Sequence, residues 1–148
     1  MIKITEHPVS IRFHAEEHVT SLPNGNVFVF GSNTRGVHGK GAALTAVKHF
    51  GAVYGIGVGH AGKSFAIPTK DAFLRTLDTV TINHYIQTFK SFVEANPHLT
   101  FYLTPIGCGL AGYTAADIAP LFLPLRHLDI IFPISFQPYL ITQGVNHA

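Results

Sequence analysis

A single cysteine, Cys108, in 148 residues leaves no partner for an intramolecular disulfide, so the fold must hold without one. Charge is scarce too. Only 12% of residues are Asp, Glu, Lys or Arg against 47% apolar, a balance that can bury a core and excludes a disordered chain. The formal charge is only +2 and the basic residues are scattered, which excludes the basic stripe of a protein that holds long duplex DNA. That balance suits a small anionic ligand better. No apolar run approaches the ~18 residues of a membrane span, and Met1-Ile2-Lys3-Ile4-Thr5-Glu6 lacks the apolar stretch of a secretory leader. The expectation is a cytoplasmic chain with no membrane partner. Of the ten histidines only His14 and His18 have a spacing suited to zinc, and no second cysteine joins them, so neither a metal nor a cofactor is expected. Repeats and linkers are missing as well; residues 1–148 read as one domain.

What the chain does have is glycine in two informative places. Phe101-Tyr-Leu-Thr104 is a strand-like run, Thr114-Ala-Ala-Asp117 reads as a helix start, and between them lies Thr104-Pro-Ile-Gly-Cys-Gly-Leu-Ala-Gly-Tyr113. A strand that turns through glycines into a helix start lets backbone N–H groups converge on an anion, with the helix dipole adding positive potential. The second place is Gly31-Ser-Asn-Thr-Arg-Gly-Val-His-Gly-Lys-Gly41, directly after the apolar run Val27–Phe30. Ala42, Ala43, Ala46, Val47 and Phe50 then recur at helical spacing. Two such loops can clamp a diphosphate from both sides at the carboxyl ends of strands. Glycine turns of this kind also occur for purely structural reasons. Neither loop has the Gly-Lys-Ser/Thr ending of a Walker A sequence, and Gly55-Ile-Gly-Val-Gly59 has no long helix after it, so a nucleoside triphosphatase is not expected.

The remaining pattern alternates strands and helices, which means an α/β sandwich. Strands are expected at Val9–Phe13, Val27–Phe30, Ser64–Pro68, Phe101–Thr104 and Leu128–Phe132. Pro68 should end its strand, because it cannot donate to a ladder. Helices are expected from about Gly41 to Gly51, from Thr79 to Ala95 and from Thr114, where Thr114 and Asp117 make a capping box. Residues 51–63 read as a Gly-rich loop, and the tail from Pro133 to Ala148 as an edge strand, a pocket lid, core or a dimer contact.

Taken in order, these pieces resemble the macrodomain family, which binds ADP-ribose. The loop from Gly31 is similar to that family's first loop and the loop from Thr104 to its second. Ile106-Gly-Cys-Gly-Leu110 is similar to the second loop of the terminal ADP-ribose glycohydrolase branch, and Phe65-Ala-Ile-Pro-Thr-Lys70 to the strand that carries that branch's catalytic Lys. The pattern also resembles a bacterial and phage family with the same macro-like core. The resemblance covers about Val27 to Phe122. It implies a three-layer α/β/α sandwich with a mixed central sheet and ADP-ribose lying across its crest. The ligand set it implies is Gly31, Ser32, Asn33, His38, Gly39, Lys40 and Gly41 from the first loop, Thr69 from the strand, and Ile106, Gly107, Cys108, Gly109, Leu110, Ala111, Gly112 and Tyr113 from the second. Asn33 would lie near the distal ribose; Tyr113 would stack on it or serve as a core aromatic. Partners on this reading are ADP-ribose or a derivative, and macromolecules carrying it. The chain departs from the pattern twice: Ala111 stands where the branch has a catalytic Asp, and only Glu16 and Glu17 are near the place of the adenine-reading acid.

The resemblance implies Lys70 as a nucleophile toward the distal ribose; Asp71, next to it in sequence, is the candidate to stand in for the missing Asp, with Asn33 and His38 as helpers. An ordinary lysine amine costs about 4–5 kcal/mol to deprotonate at pH 7, so burial, a cation or a base must supply that. Asp71 can serve only if the strand has ended by Pro68, since neighbours on a strand point to opposite faces. Otherwise Lys70 is a rim cation and Asp71 a turn residue. Activity is therefore open between hydrolysis of an ADP-ribosyl bond and binding without turnover. A third reading makes Cys108 a nucleophile activated at the helix start.

Overall fold

Along Val27-Phe28-Val29-Phe30 successive side chains enter two different cores, because residues on a strand alternate between faces. Val27 and Val29 join one cluster, Phe28 and Phe30 the other. The computed structural model describes residues 3–6 and 10–141. Within them lie strands β1 (Ile4–Glu6), β2 (Arg12–His14), β3 (Asn26–Asn33), β4 (Gly59–Ala61), β5 (Ser64–Lys70), β6 (Thr100–Leu103) and β7 (Ile130–Pro133), and helices α1 (Gly41–His49), α2 (Thr79–Ala95), α3 (Ala115–Ile118) and α4 (Gln137–Leu140). The sheet order is β1-β2-β7-β6-β3-β5-β4. The five central strands run parallel, and the outer pairs β1/β2 and β4/β5 are antiparallel. This is a mixed α/β architecture.

Helices cover both faces of the sheet. On one, Ile82, Ile86, Phe89 and Val93 of α2 recur at three and four and meet Phe65, Phe101 and Val29, with Phe122, Phe136 and Leu140 completing the core. On the other, α1 sets Ala46 and the following Phe50 against Phe28, whose ring stacks on Phe50 at 4.4 Å. Helix α2 starts where Asp78 accepts from Thr81 N at 2.8 Å. No helix among the described residues is long and apolar enough to cross a membrane.

Several elements differ from expectation or decide between its alternatives. Strand β5 continues through Pro68 to Lys70. Pro68 pairs in register with Ser32 but lies beyond the last β4 pair, Gly59 opposite Ala66, so that edge offers no acceptor for a donor to miss. The helix from Thr114 is short: its capping box forms, but Pro120 and Pro124 turn residues 119–125 into a 3₁₀ segment after one turn. Residues 59–61, read as loop, form edge strand β4, and β1 pairs with β2, which begins at Arg12 after Ser10 has turned the chain at φ +70°. Val9 lies outside the described residues. The tail from Ile134 to Ile141 forms neither edge strand nor lid: Phe136 and Leu140 are core, and the Arg126 guanidinium donates to Leu140 O at 2.8 Å. Residues 142–148 lie outside the described residues.

Candidate functional site

Strands β3, β5 and β6 end side by side, and beyond their carboxyl ends opens a cleft of about 650 Å³. Both glycine loops line it. Gly31, Ser32, Asn33, Gly39, Lys40, Gly41, Thr69, Lys70 and the run Ile106–Ala111 are all on its wall. His38, Asp71, Gly112 and Tyr113 are not.

Two backbone segments border the cleft. Helix α1 begins at the cleft without a side-chain cap and without an acid in its first turn. The N–H groups of Gly41, Ala42 and Ala43 have no partner inside the helix, and these residues line the cleft. Opposite them the second loop closes on itself: Cys108 N donates to Pro105 O and Tyr113 N to Gly107 O. Those bonds engage Cys108 and Tyr113, whereas none of the N–H groups of Gly107, Gly109, Leu110 and Ala111 donates to a backbone carbonyl among the described residues. Gly107 is required here, since its φ is +77° and an added Cβ would press on Ile118 at 3.1 Å. Two sets of free donors thus border one cleft, with the dipole of α1 behind one of them.

The first loop is held from below. The Asn33 amide closes it, Nδ2 donating to Val37 O at 2.9 Å and Oδ1 accepting from Val37 N at 3.0 Å. Both ends of that amide are engaged, so Asn33 shapes the loop. The run 55–57 forms a buttress: Ser32 Oγ donates to Gly57 O, Gly55 N to Gly36 O, and His38 Nε2 to Ile56 O. The contact is close enough that a Cβ on Gly57 or Gly36 would overlap the opposing backbone. His38 is therefore a wedge under the loop, 1% exposed, with its ring edge-on to Phe30.

Lys70 ends β5 at the far side of the cleft and enters none of the ion pairs found among the described residues. Asp71 does not join it. Its carboxylate accepts from the N–H groups of Phe73 and Arg75 and from Arg75 Nε at 3.1 Å. The Arg75 N–H is the main cause holding that carboxyl below the usual range, which makes it a weak base. Tyr113 turns away too, its hydroxyl donating to Leu77 O at 2.6 Å. Thr76 Oγ1 donates to Ala111 O, tying the 71–76 turn to the second loop, and leaves Leu74 and the exposed Leu110 at the mouth. Cys108 sits on the wall, but burial, with Glu16 and Asp117 adding, pushes its thiol up to about 11. That opposes a thiolate nucleophile.

At the other end the cleft meets a recess of about 190 Å³, sharing Ala42, Thr104 and Pro105 with it. Glu16, Glu17, His18 and Val19 border it, with His14, Phe28 and Tyr102 on its inner side. His14 stacks on Tyr102 at 3.9 Å, and burial, with Glu16 and Glu17 adding, raises the Tyr102 hydroxyl to about 12. His14 has neither ring nitrogen left for a metal: Nε2 donates to Leu103 O at 2.6 Å and Nδ1 accepts from Glu16 N. Among the described residues no cluster of three or more His, Cys, Asp or Glu could hold one. Sequence reasoning noticed the two glutamates but not the recess, whose walls come from segments up to about 90 residues apart. Compared with known proteins, the chain matches no protein-family model, no curated protein and no solved structure.

Proposed function

We propose that the chain is a macrodomain-like module that binds ADP-ribose or a related NAD-derived diphosphate nucleotide. The observation that carries this reading is the pairing of unengaged N–H groups, from the first turn of α1 and from the second loop, across one cleft that ends in an acid-bordered aromatic recess. Facing donors suit a diphosphate. A carboxylate-bordered recess suits a base with an exocyclic amine, with Glu16 or Glu17 in the part of the adenine-reading acid. The far end, toward Lys70, is left for a second ribose. The volume falls within the range of small-molecule sites, roughly 300–1,000 Å³.

Calorimetric titration with ADP-ribose, with AMP and NAD as controls, tests it. Micromolar binding selective for ADP-ribose is the expected result; no heat with any of the three refutes the reading.

A second reading, hydrolysis of an ADP-ribosyl bond, has one observation in its favour: Lys70 lines the cleft without an ion pair among the described residues. Against it stand Ala111 and the engaged carboxylate of Asp71. Incubation with ADP-ribosylated protein, ADP-ribosylated nucleic acid and ADP-ribose 1″-phosphate should release no product if the chain only binds. Product formed by the wild type and lost in Lys70→Ala would establish the hydrolase reading instead.

A further inference from the structure

The recess depends on a residue in an unfavourable backbone conformation. Glu16 has φ +64°, in the left-handed region where a branched or long side chain is disfavoured, and its carboxylate reaches Ser135 N at 2.8 Å. What holds its backbone is His14: the Glu16 N–H donates to Nδ1 at 3.1 Å, while Nε2 donates to Leu103 O at 2.6 Å. A carbonyl can only accept, so the proton of the neutral ring is on Nε2 and the lone pair on Nδ1. The ring is 2% exposed and cannot turn away without leaving its stack on Tyr102.

We infer that His14 is a positioning residue for the recess, whose neutral form fixes Glu16 at the recess border and whose protonated form releases it. Protonation at Nδ1 would set two donors against each other, leaving the Glu16 N–H without an acceptor. Glu16 then loses the contact that offsets its backbone conformation and keeps only its carboxylate's bond to Ser135 N, so the segment through Glu17 and Val19 loosens. The inference takes its ligand from the diphosphate-nucleotide reading; the hydrogen-bond switch itself does not need it. The titratable groups that share the recess with the ring are Tyr102 from β6 and Glu16, Glu17 and His18 from the segment after β2; α1 brings only Ala42 and Thr45, the start of the second loop only Thr104 and Pro105, and the flanking strands β1 and β7 set Ile4 and Pro133 opposite His14. Burial outweighs the attraction of Glu16 and lowers the affinity of His14 for a proton, so release belongs below the ordinary histidine range near pH 6.5.

Two measurements test this. In the free protein, imidazole nitrogen shifts should place the proton on Nε2 near neutral pH, and the Glu16 amide signal should move in the same acid range in which the ring is protonated. A Glu16 amide that ignores His14 protonation overturns the inference, whatever the ligand. In calorimetry, ADP-ribose affinity should fall about tenfold across the acid range in which the nitrogen shifts show the ring being protonated, the cost of one unpaired, part-buried donor. His14→Asn keeps an acceptor near the Nδ1 position but cannot titrate; it should bind more weakly at pH 7.5, with a flat profile. The same fall in this variant as in wild type, or a flat wild-type profile with binding intact at pH 7.5, overturns the inference. Absence of binding at every pH would refute the nucleotide reading instead, and the amide titration would still decide the switch.

Discussion

At Gly109 an added Cβ meets nothing within 4 Å, and the backbone is not in the left-handed region. A substitution there should leave the fold alone. Gly109→Glu therefore separates binding from folding: the melting temperature stays within about 1–2 °C of wild type, as for substitutions clear of the core, while a carboxylate enters the span between the free N–H groups. Like-charge contact costs several kcal/mol, so ADP-ribose affinity should fall about a hundredfold or more. Normal binding by that variant removes the cleft from consideration. Cys108 gives a second test at this scale. With its thiol pushed up to about 11, alkylation by iodoacetamide at pH 7.5 should be at least tenfold slower than for free cysteine. Rapid labelling would reopen the thiol reading. The sequence named Cys108 and Asp71 by position; what it did not carry was the environment, since burial and the Arg75 N–H come from the folded turns.

Among elements, the buttress at 55–57 has the largest reach for its size. Gly57 lines no part of the cleft, yet a methyl group there overlaps Asn33 and the turn that follows it. Gly57→Ala should cost about 1–3 kcal/mol, as overpacking does, and weaken ADP-ribose binding through the first loop. Calorimetry with a thermal melt checks both; unchanged affinity would show that the first loop needs no support from below. Thr114→Ala, by contrast, removes the cap of α3 and should cost about 1 kcal/mol in stability. How well each element was read follows its periodicity. Helix α2 spans five turns of regular spacing and was legible end to end, as were the apolar cores of β3, β6 and β7. Edge strands β1 and β4 have three residues each, too few for a period, and take their form from neighbours. The extension of β5 past Pro68 depends on where β4 stops, a fact of tertiary structure.

For the molecule as a whole, acid should act in two stages. His14 is held below its ordinary value, so the unfolded chain binds a proton first. Its contribution to stability is present above about pH 6.5 and fades as pH falls through that value toward its lower folded one. Asp71, Asp78 and Asp117 are likewise lowered, each chiefly by a backbone N–H, of Arg75, Thr81 and Thr114 respectively. Their contribution is present above their ordinary range near pH 4 and is lost only below it. Thermal melts from pH 7.5 to 3 should show an early decline below about 6.5 and a second one below about 4. A His14→Asn chain should lack the first; a single late decline in the wild type would contradict the buried, neutral ring. The two glycine loops were legible at this scale because glycine marks backbone that must turn. The recess and the buttress were not, because each joins segments far apart in sequence.

Two sets of backbone N–H groups border the cleft, and that decides which experiments can see them. Alanine in place of Lys40, Cys108 or Leu110 removes a side chain but leaves every N–H group in place, so truncation there does not test the backbone donors. Replacing single amides by esters deletes one donor while keeping every side chain. In this chain the informative chemistry is written in the part of each residue that, proline apart, the genetic code does not vary.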